Sequence, residues 1–279
     1  MKVFVLGAGQ MGSGIAQCCA QAGYETILSD TAAAALEKGM TYIAGNLQRN
    51  VDKGRITAER KDEVLSKLTT SSSLQDAADC DLVIEAIIEN MEIKSSVFKQ
   101  LDAICKPETI FATNTSSLPI TSIAAVTKRP EKVIGMHFMN PVPVKTLVEV
   151  IRGLETDQET TDFVCKTSEE MGKVAIEVRD VPGFVSNRVL QVMINEAIYC
   201  VYEGVATPEG IDEIMKLGMA HPMGPLQLAD FIGLDTILSV LEIMYKGYGD
   251  PKYRPCPLLR QYVEAGRYGK KSGRGFYTY

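Results

Sequence analysis

The chain has 279 residues, 46% of them hydrophobic and 23% charged, with a mean hydropathy of +0.01. Such a chain can bury one large core or two ordinary ones, which excludes disorder and a collagen-like fibre. Against 29 Lys and Arg stand 35 Asp and Glu, a net charge of −6, so no general field gathers nucleic acid or an anionic membrane, and any anionic ligand must be held locally.

Polar residues interrupt every helix-length window, so no membrane span is expected and the protein should be soluble. The N-terminus, Met1 to Gly7, runs directly into a strand-like segment, and no leader is expected there. Seven cysteines, at 18, 19, 80, 105, 165, 200 and 256, form no C-x-x-C pair and leave one over. That argues against a disulfide framework and against a cysteine-built zinc site, so no metal is expected, and a reducing cytoplasm is the expected home.

Along the first half, Val3 to Leu6, Thr26 to Ser29, Leu82 to Ala86, Thr109 to Ala112 and Val133 to His137 are continuous apolar or β-prone runs, the pattern of strands buried on both faces of a parallel sheet. Helical patterns alternate with them. Ala34 to Lys67, polar and broken near Gly54, predicts an inserted helix pair that projects from the body. Thr146 to Ile151 and Val174 to Val178 predict two more strands around a helix at Asp157 to Met171. Beyond Val181-Pro182-Gly183 the periodicity is helical, over Phe184 to Tyr202, Pro208 to Met219 and Leu226 to Tyr245. The expectation is therefore an α/β, Rossmann-type, mostly parallel sheet domain over 1–180, with an all-helical domain over 181–279.

Gly7-Ala8-Gly9-Gln10-Met11-Gly12 follows the first strand and opens a helix that ends at Gly23. In that context Gly7 permits the tight turn, Gly9 lets a pyrophosphate approach the backbone, and Gly12 lets helix and strand pack closely. Asp30 ends the second strand 18 residues after Gly12, near the offset of about 20 at which an acidic side chain meets the adenosine ribose diol. A carboxylate there repels a 2′-phosphate and no basic residue follows before Lys38, so NAD is favoured over NADP. The competing reading is that Asp30 caps a helix starting at Thr31.

There are two histidines. His137 ends a predicted strand at the sheet edge where α/β folds place ligands. Glu149 lies 12 residues on, and antiparallel strands would mirror the two about Pro143. A carboxylate beside the imidazole would fix its tautomer and stabilise the charge it takes on with a hydroxyl proton. On spacing alone a structural histidine at a strand end is the preferred reading. His221, in a Pro-flanked loop, is assigned no chemistry.

The glycine turn, Asn114-Thr115-Ser116-Ser117, His137-Phe138-Met139-Asn140-Pro141, Leu147-Val148-Glu149-Val150, Pro182-Gly183-Phe184-Val185-Ser186-Asn187-Arg188, His221-Pro222-Met223-Gly224-Pro225 and the terminal Gly269 to Tyr277 together resemble the L-3-hydroxyacyl-CoA dehydrogenase family from end to end. The resemblance implies NAD-dependent interconversion of short-chain (S)-3-hydroxyacyl-CoA and 3-oxoacyl-CoA. His137 would be the general base, oriented by Glu149, with Ser116 and Asn187 bonding the reacting oxygen or the thioester. It also implies that Gln10, Met11, Glu89, Lys94 and Asn114 lie with the glycines around the cofactor, that Asn140 lies beside the substrate, and that the helical domain forms a homodimer or a higher homo-oligomer.

Without the family, Ser116 reads as a turn residue, Asn187 as a polar position near a helix start, Glu89 and Lys94 as an exposed pair at a helix start, and Asn140 as a turn residue before Pro141. Arg49, Lys53 and Arg55 form a basic cluster that could meet coenzyme A phosphates or simply be solvated. Two other functions remain open: a related dehydrogenase of free β-hydroxy acids, and a non-catalytic dinucleotide-binding protein.

Overall fold

The computed structural model describes Met1–Tyr279 as two compact units, Met1–Asp180 and Val181–Tyr279. In the first, eight strands form one sheet: β1 (Lys2–Leu6), β2 (Glu25–Ser29), β3 (Leu68–Ser71), β4 (Leu82–Glu85), β5 (Ile110–Thr113), β6 (Val133–Phe138), β7 (Leu147–Arg152) and β8 (Val174–Arg179). Their spatial order is β3-β2-β1-β4-β5-β6-β7-β8. All neighbouring pairs are parallel except β6 and β7. The exception follows from chain length: the short segment between Phe138 and Leu147 cannot make the crossover of a dozen or more residues that parallel pairing needs. The longer return from β7 through α6 (Gln158–Glu170) can, so β8 lies parallel to β7.

The central strands β4, β5 and β6 are buried along their whole length, which is why they read as unbroken apolar runs. The edge strand β3, Leu-Thr-Thr-Ser, buries only Leu68 and carries no such run, and sequence reading assigned no strand there.

Helix α1 (Gln10–Gln21) packs on β1 and β2 and is buried along most of its length. The helix pair is α2 (Ala33–Asp52) and α3 (Ala58–Ser66). It does not simply project: Leu36, Ile43 and Leu47 of α2 and Val64 of α3 join the same core as the sheet. Its charged residues form the outer face of an amphipathic pair. Helices α4 (Met91–Ile104) and α5 (Ile120–Ala124) complete the unit. Asn90 starts α4 by accepting from the Ile93 amide at 3.0 Å.

The second unit holds α7 (Ser186–Tyr202), α8 (Pro208–Met219), α9 (Pro225–Ile232), α10 (Leu234–Tyr248) and α11 (Pro257–Glu264) around a core that includes Ile194, Ile198, Leu226, Leu241 and Tyr253. The continuous helical segment expected over Leu226 to Tyr245 is broken. Gly233 takes φ +106° between α9 and α10, a conformation that ends one helix and redirects the next.

Candidate active site

Strand order reverses direction of growth between β1 and β4, and at such a switch point the carboxyl ends of the strands open a crevice for ligands. The glycine turn stands there. Gly7 has φ +105°, its amide donates to Ser29 O at 2.7 Å, and a Cβ on it would lie 2.5 Å from Ala86 O. A Cβ on Gly12 would fall 1.7 Å from Gly7 O, so the turn and α1 can approach only because both are glycine.

Gly9 is different, with open space where its Cβ would be. It is also the N-cap of α1 and supplies no capping side chain, so the amides of Gln10, Met11 and Gly12 form a helix N-terminus suited to an anion. Open space over Gly9 and uncapped amides beside it fit the pyrophosphate of a dinucleotide.

Asp30 follows β2. Its Oδ2 accepts from the Ala8 amide and its Oδ1 from the Ala32 amide, both at 2.9 Å. It does not cap a helix at Thr31, because α2 begins at Ala33 with Ala32 as N-cap. Asp30 instead ties the end of β2 to the glycine turn, and each oxygen keeps a lone pair for a ribose hydroxyl.

At the end of β5, the Asn114 amide donates to Glu85 O at 2.7 Å and its Oδ1 accepts from the Phe138 amide at 2.9 Å, joining the ends of β4, β5 and β6. Oε1 of Glu89 gathers the following turn: it accepts from Thr115 Oγ1 at 2.6 Å, the Ser116 amide at 3.0 Å, Ser117 Oγ at 3.0 Å and the Ser117 amide at 3.1 Å. Burial works against its charge, yet the Lys94 ammonium and the Thr115, Ser117 and Ser116 donors hold the Glu89 carboxyl below the usual carboxylate value. Lys94 is not the exposed partner that helix-start spacing suggests. Its side chain is 1% exposed, and it lies 2.6 Å from Glu85 and 3.4 Å from Glu89.

The antiparallel register of β6 and β7 sets His137 opposite Glu149. Both are buried, and His137 Nδ1 lies 2.9 Å from Glu149 Oε2. With Nδ1–H donating to the carboxylate, the lone pair of the neutral imidazole is on Nε2. Asn140, in the turn that follows β6, accepts from Gln10 Nε2 at 3.2 Å, which links that turn to the start of α1. Lys173 holds the same turn from below. Its ammonium donates to Val142 O at 2.6 Å and Lys145 O at 2.8 Å.

Arg49, Lys53 and Arg55 sit exposed around the C-terminal end of α2, with no carboxylate of the chain paired to them. Arg49 bonds Asn46. Asn187 belongs to the second unit, in the first turn of α7, and its Oδ1 accepts from Gln191 Nε2 at 3.3 Å. Next to it, Arg188 stacks 4.8 Å over the Tyr248 ring and its Nε donates to Tyr253 Oη at 2.9 Å, a packing role.

The family model of the 3-hydroxyacyl-CoA dehydrogenase NAD binding domain matches residues 2–181, and that of the 3-hydroxyacyl-CoA dehydrogenase C-terminal domain matches residues 183–279. The chain belongs to the 3-hydroxyacyl-CoA dehydrogenase family. A probable 3-hydroxybutyryl-CoA dehydrogenase of Bacillus subtilis is 62% identical over 278 residues, covering 100% of this chain and 97% of the relative. The human mitochondrial hydroxyacyl-coenzyme A dehydrogenase is 42% identical, with 99% of this chain and 90% of the relative covered. Among solved structures, an (S)-3-hydroxybutyryl-CoA dehydrogenase from Ralstonia eutropha matches with a TM-score of 0.98 at 49% identity, covering 100% of this chain and 98% of the other.

Three buried polar residues that support the candidate site escape sequence reading: Glu85, Thr113 and Lys173. Glu85 ends the apolar run of β4 and Thr113 ends β5, where a polar residue at a strand end is common; Lys173 precedes an edge strand, the usual place for a solvated lysine. No spacing rule marks any of them as buried.

Proposed function

We propose that the chain is an NAD-dependent dehydrogenase that interconverts short-chain (S)-3-hydroxyacyl-CoA, foremost 3-hydroxybutyryl-CoA, with the corresponding 3-oxoacyl-CoA. The observation that carries this reading is the His137–Glu149 contact of 2.9 Å on the sheet that also bears the glycine turn.

His137 Nε2 takes the proton of the 3-hydroxyl as the C3–H hydride leaves, so the alcohol becomes a ketone while one proton stays on the imidazole. The nicotinamide, when bound, supplies the hydride acceptor, or the donor in reverse. Glu149 holds Nδ1–H and offsets the positive charge that His137 acquires. In the reductive direction His137 returns the proton to the forming alkoxide. Ser116 and Asn187 would hydrogen-bond the reacting oxygen or the thioester carbonyl, and Asn140 would orient the substrate's neighbourhood.

For the cofactor, Gly7, Gly9, Gln10, Met11 and Gly12 would receive the pyrophosphate, Asp30 the ribose diol, and the Glu89, Lys94 and Asn114 group the nicotinamide end. The Asp30 carboxylate favours NAD over NADP by repelling a 2′-phosphate. Arg49, Lys53 and Arg55 carry unpaired positive charge suited to the phosphates of coenzyme A.

The first unit would thus bind NAD, and the second would serve substrate binding and homodimerisation. Val189, Leu217 and Met219 of the second unit, 66%, 81% and 62% exposed, suit an interface with a further copy. No helix is long and apolar enough to cross a membrane. The seven free thiols, five of them buried, suit a reducing compartment, and we place the protein in the cytoplasm on that ground.

Purified protein mixed with NADH and acetoacetyl-CoA should consume NADH rapidly, with acetoacetate and NADPH as poor replacements. Preference for the free acid would favour the β-hydroxy acid reading, and no turnover with either coenzyme would remove the enzymatic one.

A further inference from the structure

Beneath the Thr115–Ser117 turn lies a group of buried charges whose place in the chemistry is not evident from cofactor contact alone. Glu85 is fully buried at the end of β4. It accepts from Lys94 Nζ at 2.6 Å, from the Ile87 amide at 2.7 Å and from Thr113 Oγ1 at 2.7 Å. A buried carboxylate with three donors is fixed in place, and a buried ammonium persists only where its charge is matched. Lys94 is therefore tied to the ends of β4 and β5.

Glu89 stands one step further out, its side chain 35% exposed. Its two oxygens have separate tasks. Oε2 faces Lys94 at 3.4 Å, while Oε1 collects the Thr115 hydroxyl and the amides of Ser116 and Ser117. An acceptor shared among so many donors orients them only if it stays where it is. Rotation of the carboxylate would release the turn, and the Lys94 charge on the opposite oxygen opposes that rotation.

We propose that Glu85 and Lys94 are positioning residues: Glu85 fixes Lys94, Lys94 fixes Glu89, and Glu89 sets the backbone and orientation of Ser116 toward the reacting substrate. The inference rests on the reading of Ser116 as a substrate contact. It assigns Glu85, which no cofactor contact requires, a part in the rate. It also accounts for the ionised form of Glu89, since a protonated carboxyl would lose acceptor strength toward the turn.

The test compares Glu85→Gln, Lys94→Met and the double variant, each with and without Ser116→Ala. The double variant removes both buried charges together, so neither is left uncompensated in the core. With Ser116 present, kcat for acetoacetyl-CoA reduction should fall by about 10-fold or more, because misplacement on the scale of an ångström costs up to about 100-fold. With Ser116→Ala, Glu85→Gln should cost less than about 2-fold further, since residues acting through one group are not additive.

Variants lacking Lys94 should also lose activity at a higher pH on the acid side, because Glu89 no longer has a cation to favour its charged form. Independently of turnover, hydrogen exchange at the Ser116 and Ser117 amides should speed up in the folded double variant while β5 stays protected. Full additivity of Glu85→Gln with Ser116→Ala, or unchanged exchange at those amides, would overturn the proposal. If the wild type fails to reduce acetoacetyl-CoA, the functional reading fails, and amide exchange still decides whether the charges hold the turn.

Discussion

Both units bury carboxylates, and they use them differently. In the second unit, Asp212 accepts from the Leu226 amide at 2.8 Å, the Gln227 amide at 2.9 Å and Tyr277 Oη at 2.7 Å, which seats the start of α9. Asp230 accepts from the Phe276 and Tyr277 amides at 2.9 Å each, which clamps the terminal segment onto α9. These partners are mainly backbone amides, and a Cβ on Gly224 or Gly275 would lie within 2.2 or 2.0 Å of the aspartates. In the first unit, Glu149 meets an imidazole and Glu85 a lysine and a threonine, side chains at the carboxyl edge of the sheet. The carboxylates of the second unit thus seat a helix start and the terminal segment, while Glu149 and Glu85 hold polar side chains at the carboxyl edge of the sheet, Glu85 with the Ile87 amide as well.

Substitutions can break that contrast. The largest effect is expected at the dyad: His137→Gln or Glu149→Gln should lower kcat by about 100- to 10,000-fold, the range of general acid–base catalysis, while NADH binding and melting temperature stay near wild type. In the second unit, Asp212→Ala should lower stability by about 2–4 kcal/mol, as a helix cap is lost and buried donors are left unpaired. It should leave turnover per folded molecule largely unchanged, so denaturant melts and active-site titration separate the two cases.

Lys173→Met lies between these extremes. It strips the buried Val142 carbonyl and the partly buried Lys145 carbonyl of their donor, at a cost of about 1–3 kcal/mol, and loosens the turn bearing Asn140, so the KM for acyl-CoA should rise more than that for NADH. Asp30→Ala should erase much of the discrimination against NADPH in a kinetic comparison of the two coenzymes.

The smallest effect concerns pH. Burial raises the Asp230 carboxyl above the ordinary value, with the nearby Asp212 charge acting in the same direction against the amide and Tyr279 donors. The folded state then holds that proton to higher pH than the unfolded chain, so its stabilising contribution declines as pH rises from about 4 through the raised value. The melting-temperature gap between wild type and Asp230→Asn should narrow over that interval.

Much of the fold is legible from the residues. Continuous apolar runs mark the buried central strands, and eight residues between β6 and β7 dictate their antiparallel pairing. Positions 137 and 149 are paired by arithmetic once that direction is set. β3 is not legible because an edge strand with one buried residue lacks a period, and the break at Gly233 is masked by apolar residues on both sides. Within the candidate site, the glycine turn stands out by its spacing, and the resemblance singles out His137 where spacing alone does not. Glu85 and Lys173 are not legible, and Lys94 enters only through the resemblance, because a charged residue near a strand or helix end is ordinarily solvated, and only the packed structure buries them.

Single-turnover reduction of acetoacetyl-CoA by enzyme-bound NADH, followed by the loss of NADH absorbance in wild type and His137→Gln, tests the proton-transfer claim most directly. The account predicts fast decay in the wild type and decay slowed by at least about 100-fold in the variant, with NADH bound equally by both. Equal decay rates would contradict it.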